Sequence, residues 1–150
     1  MAVTGTISRR AFRPFFLAGL ATLLAAVACA GSAAPTSGAP TEIKVTMADF
    51  SFTAPATTFK VGVPYRFVVT NSGKVNHEFM VVSPPTTGES SEDLDKSALG
   101  RIDDSTFPPG STQTLDVTFT KAQTSGVLEF ACHVSGHYEQ GMRLPITVTQ

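Results

Sequence analysis

Cys132, His137 and Met142 fall within one short stretch, Cys132-His133-Val134-Ser135-Gly136-His137-Tyr138-Glu139-Gln140-Gly141-Met142, which also holds two of the chain's three histidines. The third, His77, opens an apolar run far upstream. One thiol, two imidazoles and a thioether make up the ligand set of a trigonal His2Cys copper site with a weak axial methionine. Cu(I) accepts soft sulfur and Cu(II) accepts imidazole nitrogen, so a mixed set serves both states with little rearrangement. These residue types therefore point to one copper ion, cycling between Cu(I) and Cu(II), with His77, Cys132, His137 and Met142 as ligands. Zinc could sit on the same residues, but it prefers four firm ligands and gains nothing from a thioether.

Each residue alone has a blander reading. A lone methionine is more often core, and a lone histidine more often a satisfied structural one. His133 follows Cys132 on a strand and should point to the opposite face, where surface exposure is expected. A cysteine nucleophile paired with His133 or His137 would leave the methionine without a role. The chain contains neither a Gly-x-Ser-x-Gly elbow nor a glycine loop suited to cradling phosphate. The expectation is a non-enzymatic metal protein.

Strands must position these side chains. From about Glu42, short segments rich in Val, Ile, Thr and Phe recur between Gly, Pro, Asn and Ser, the pattern of an all-β sandwich. Strands are expected near 42–47, 50–53, 57–60, 64–71, 77–83, 112–119, 126–132 and 142–149. Leu115, Val117 and Phe119 alternate with Thr and Asp, and Tyr65, Phe67 and Val69 should face the core. The irregular connection from Ser83 to Ser111 carries Glu89, Glu92, Asp93 and Asp95. Within it Ser90 to Gly100 has a serine cap, early acids and a closing glycine, so one short helix is expected there.

The first residues read as an address. Ser8-Arg9-Arg10-Ala11-Phe12-Arg13 precedes an apolar run from Phe15 to Ala28 that is short for a bilayer span and fits a signal-peptide core over residues 1–28. The arginine pair resembles a twin-arginine export signal. Ala26-Val27-Ala28-Cys29 resembles a bacterial lipobox, with Ala26 where leucine is usual; plain cleavage after Ala28 is the alternative. A lipid on Cys29 would anchor the protein to the outer face of the cytoplasmic membrane. Residues 29–41 lack large apolar side chains and charges and read as a flexible tether to a domain over 42–150. Cys132 is then the sole cysteine of the domain, which excludes an internal disulfide. Three of the eleven basic residues precede Cys29, leaving eight against twelve acids. That acidic balance argues against nucleic acid as a partner.

The set His77, Cys132, His137 and Met142, with Phe130-Ala131-Cys132, Gly136-His137 and Gly141-Met142, resembles the cupredoxin family of small blue-copper proteins over residues 42 to 150. The four residues between Cys132 and His137 are similar to azurins, and the four between His137 and Met142 to plastocyanins. The resemblance implies a Greek-key β-sandwich of about seven to eight strands with one short helix in a long loop. It also implies electron transfer through the partly exposed edge of His137, amid an apolar patch for which Tyr138, Gly141, Pro84, Pro85 and Met80 are candidates. The implied partners are transient redox proteins, a cytochrome or a copper oxidoreductase, met by a monomer. Copper delivery is the second reading and a nitrosocyanin-like copper enzyme the third. One departure stands out: many members have an asparagine after the first histidine ligand, hydrogen-bonding to the cysteine loop, and here that position is Glu78.

Overall fold

Alternating burial sorts the strands into two layers. In the computed structural model, which describes residues 38–150, the expected signal peptide over 1–28 and residues 29–37 of the expected tether lie outside the described residues. Strand β1 spans Thr41–Ala48, β2 Ser51–Thr53, β3 Thr58–Lys60, β4 Pro64–Asn71 and β5 Phe79–Val82. Helix α1 follows at Ser91–Ser97, then β6 at Gly100–Ile102, β7 at Thr112–Thr118, β8 at Gln123–Ala131 and β9 at Arg143–Thr149. One sheet has the order β2-β1-β4-β7 and the other β3-β9-β8-β5-β6. β1 runs parallel to β4 and β3 parallel to β9, while the other pairs are antiparallel. The fold is the expected all-β sandwich.

Tyr65, Phe67 and Val69 do face inward, as do Val117 and Phe119. With no tryptophan in the chain, phenylalanine fills the space between the sheets. Phe59 sits at the centre of this packing, its ring 5.0 to 6.0 Å from those of Tyr65, Phe67, Phe119 and Phe130. Aromatic rings at such spacings add edge-to-face and offset contacts to the area they bury. The apolar core runs without a break up to Cys132 and Met142, so the metal-binding end of the sandwich stands on the aromatic centre.

Differences from the sequence reading are local. β6, with only three residues, was not expected; Gly100 was read as the stop of the helix and in fact opens a strand paired to β5. β8 begins at Gln123 rather than 126, because a register irregularity between Gln123 and Leu128 spans Gly126, whose φ of 84° places it in the left-handed region. β5 begins at Phe79, so His77 and Glu78 lie just ahead of the ladder. The helix is shorter than Ser90 to Gly100. Ser90 caps it with a capping box to Asp93, and Leu94 turns its one buried side chain toward the sheet.

Candidate metal centre

His77 is carried by a tight connection out of β4. Asn71, fully buried, donates from Nδ2 to the carbonyls of Val75 (2.9 Å) and Phe107 (3.0 Å), and its Oδ1 accepts from the Gly73 N–H at 2.9 Å. A side chain that meets two backbone groups of the loop and ties it to the Phe107 carbonyl of another segment leaves that loop little freedom, and the loop delivers His77 to a site with no exposure.

The other three residues come from the loop joining β8 to β9. The Cys132 N–H donates to the Met142 carbonyl at 3.2 Å, closing the base, and the Met142 N–H donates to the His137 carbonyl at 3.0 Å. Inside that ring the His137 N–H reaches Val134 and the Gly141 N–H reaches Tyr138, each at 2.9 Å. Gly136 and Gly141 have φ of 81° and 93°, and each directly precedes one inward side chain, His137 or Met142. Left-handed backbone at those two points reverses the chain, which glycine does at little cost.

The side chains converge. His77 Nδ1 lies 3.1 Å from His137 Nδ1 and 4.0 Å from Cys132 Sγ, and His137 Nδ1 lies 3.4 Å from that sulfur. All three residues are buried, and they form the one group of this kind among the described residues. A point equidistant from the three atoms lies about 2.1 Å from each, matching metal–nitrogen bonds of roughly 2.0–2.1 Å and metal–thiolate bonds of about 2.3 Å. The triangle therefore has the size of a trigonal ligand plane. Met142 is fully buried in the same cluster as Cys132, and its backbone is bonded to both loop residues of the triangle.

Protonation follows from burial. Burial pushes the Cys132 thiol above its ordinary range, opposed by the N–H of Glu78, which donates to the sulfur at 3.4 Å. Loading a metal onto this thiol must release its proton. Burial holds His77 below the ordinary imidazole value, opposed by a hydrogen bond to Asp49, whose Oδ1 is 3.3 Å from Nε2. Asp49 itself lies below the usual carboxyl range, chiefly because the Lys74 N–H donates to it at 2.9 Å.

Glu78 takes over the bridging expected of an asparagine. Its carboxylate accepts from the His133 N–H at 3.3 Å and from Arg101 Nη1 at 3.0 Å, tying the His77 segment to the cysteine loop. His133 lies just past the end of β8 and faces away from the triangle, but it is not surface-exposed as expected. Its ring stacks on Tyr138 at 4.6 Å and 16°, and its Nε2 is buried without a hydrogen-bond partner. The proposed apolar patch also needs correction. Met80 is fully buried beneath Leu94 and Ala131, and Tyr138 and Pro85 line a cleft beside His133. Tyr138 is held there because it donates to Glu129 at 2.6 Å and accepts from Arg143 at 3.1 Å. The ring against His137 is Phe50, 5.4 Å away and nearly perpendicular, which along with Asp49 was not picked out in the sequence. Neither residue type carries a mark of its role, and both lie in a turn remote in sequence from the ligand loop.

No family model matches the chain. It is 31% identical over 150 aligned positions to the copper-resistant cuproprotein CopI of Pseudomonas aeruginosa, covering 79% of this chain and 81% of that protein. Another relative, the CopI of Rubrivivax gelatinosus, is 31% identical over 107 positions, which cover 67% of this chain and 61% of that one. Among solved structures, an auracyanin from Roseiflexus castenholzii superposes with a TM-score of 0.56 at 17% identity, over 75% of this chain and all of the other. Auracyanin A of Chloroflexus aurantiacus gives 0.56 at 18%, over 74% and 100%. Rusticyanin of Thiobacillus ferrooxidans gives 0.54 at 17%, over 74% and 79%. At these identities the structures speak for the fold, which is that of the cupredoxins. With a donor triangle of thiol and two imidazoles at its end, a cupredoxin sandwich so closely related to CopI is a copper protein, and the chain belongs to the CopI family of cuproproteins.

Proposed function

We propose that this protein carries single electrons at one copper ion held by His77, Cys132, His137 and Met142, and that it does so without catalysing a reaction of its own. The observation that carries this reading is the buried triangle of Cys132 Sγ and two imidazole Nδ1 atoms, with the backbone of each residue held by hydrogen bonds. Bound copper supplies the one-electron couple between Cu(I) and Cu(II). The protein's residues supply rigidity: Asn71 holds the His77 loop, and the hydrogen bonds from Cys132 to Met142 hold the other three. A site that does not rearrange between oxidation states loses little to reorganisation, which favours transfer over trapping.

The same reading places the protein outside the cytoplasm, exported by its N-terminal signal and anchored by a lipid on Cys29. It meets a cytochrome or copper oxidoreductase as a monomer through a small, short-lived contact. Among the described residues no helix is long and apolar enough to cross a membrane. A second reading, copper binding for tolerance or delivery, is favoured by one observation: the related proteins are named as copper-resistant.

Visible absorption and electron paramagnetic resonance after one equivalent of Cu(II), in wild type and Cys132→Ser, separate the two readings. Electron carriage predicts an intense thiolate-to-copper band that is lost in Cys132→Ser and bleaches reversibly with a mild reductant. A colourless complex with an ordinary Cu(II) signal, readily stripped by a chelator, rejects electron carriage in favour of delivery.

A further inference from the structure

β1 and β2 are joined by only two residues, Asp49 and Phe50, with Ala48 paired to Ser51. Each touches a different imidazole of the triangle. Asp49 Oδ1 lies 3.3 Å from His77 Nε2, and among the described residues that nitrogen has no other hydrogen-bond partner. Phe50 sets its ring nearly perpendicular to that of His137, 5.4 Å away at 84°. To do so it adopts φ 62°, the one non-glycine residue among those described with a positive φ, and it leaves 38% of its surface exposed. A bulky side chain held in left-handed backbone, with its ring half in water, is unfavourable on both counts. Pairing on either side of the turn fixes it there.

A third residue keeps the Asp49 contact short. A Cβ on Gly73 would stand 2.5 Å from both Asp49 Oδ1 and His77 Nε2, so the loop passes directly over this hydrogen bond and only glycine leaves it room. The Lys74 N–H then donates to the same carboxylate oxygen at 2.9 Å.

We propose that the Asp49–Phe50 turn is the positioning device for both imidazoles of the copper centre, Asp49 fixing His77 through Nε2 and Phe50 fixing the ring plane of His137. The chemistry follows from which nitrogen is free. A carboxylate at Nε2 keeps the proton there and leaves the Nδ1 lone pair toward the triangle. It also makes that imidazole a stronger donor, which favours Cu(II) over Cu(I) and lowers the reduction potential. Phe50 sets an apolar, partly exposed ring against His137. The inference rests on the ligand assignment above and is independent of electron carriage.

The test uses full-length protein, copper-loaded and metal-free, as wild type, Asp49→Asn, Gly73→Ala and Phe50→Gly, with Glu42→Gln at the far end of β1 as a charge control. In metal-free wild type, long-range nitrogen–proton NMR should show His77 as a single Nε2–H tautomer. Asp49→Asn keeps an acceptor and loses the charge, so Cu(II) should lose about tenfold in affinity relative to Cu(I), a rise of about 59 mV in potential. Gly73→Ala should move the potential the same way by wedging the pair apart, whereas Glu42→Gln should leave it in place. Phe50→Gly should relieve the backbone and broaden the His137 ring resonances. If Asp49→Asn and Gly73→Ala keep the visible band and move the potential no more than Glu42→Gln, the role of Asp49 is overturned. Unaltered His137 resonances in Phe50→Gly overturn that of Phe50. A wild type with no thiolate-to-copper band rejects the ligand assignment instead, and mixed His77 tautomers in the metal-free spectra overturn the proposal without reference to copper.

Discussion

The N–H of Glu78 points at the Cys132 sulfur while its carboxylate, 7% exposed, reaches away to the N–H of His133 and the guanidinium of Arg101. Burial raises this carboxyl above its ordinary value, and the hydrogen bonds from His133 and Arg101 oppose the rise. Arg101 also meets Asp95 at 3.2 Å and Asp103 at 2.8 Å, so one cation serves three carboxylates. Arg101→Ala should therefore leave a buried carboxylate short of a partner and cost about 1–3 kcal/mol in chemical denaturation. Glu129 gives a pH dependence of known sign. Burial raises its carboxyl, opposed by the Tyr138 hydrogen bond, so the folded state binds the proton more tightly than the unfolded one. Its contribution is intact below the unfolded pKa and is lost as pH rises through the folded value. Glu129→Gln keeps an acceptor for Tyr138 and removes that loss. Relative to wild type, the variant should gain stability as pH rises above the ordinary carboxyl range, as urea unfolding of the metal-free protein would show.

At the scale of elements, Phe59 on the three-residue strand β3 joins the two layers. Truncation to alanine opens a hole facing Tyr65, Phe67, Phe119 and Phe130, and should cost about 3–5 kcal/mol by denaturant titration. The strands around it were legible because alternation is what a half-buried strand requires, as in β7, where Leu115 and Val117 turn in and Thr114 and Asp116 turn out. The ligand loop was legible for a different reason: three uncommon donor types stand close together in sequence, and glycine precedes two of them. β6 was not legible, since three residues cannot display a period. Asp49 and Phe50 were not legible either, because their relation to His77 and His137 exists only after β1 pairs with β4 and the β4–β5 loop folds back. Met80 was misplaced for a similar cause. β5 is buried on both faces, between the aromatic core and the cluster under α1, so its alternation gives no inside and outside.

Across the whole molecule, acids outnumber bases after Cys29, and several of them are already engaged. Glu92 pairs with Lys96, Asp93 caps α1, Glu89 holds the Thr86 N–H, and Arg101 gathers Asp95 and Asp103. The excess charge still sets a weak field over the surface. Oxidation by an anionic one-electron reagent should accelerate by about twofold or more between low salt and 0.15 M, and by a cationic reagent should slow, as stopped-flow rates would show. Direction matters at this scale too. β1 runs toward the metal site and ends at Ala48 beside the Asp49–Phe50 turn, whereas β9 begins just past Met142 and runs away from it. A strand of this length extends about 25 Å. Thr41 and Thr149 therefore share the pole remote from the metal site, and an electrode or a fused domain attached at either of these two strand ends leaves the opposite pole free to be approached.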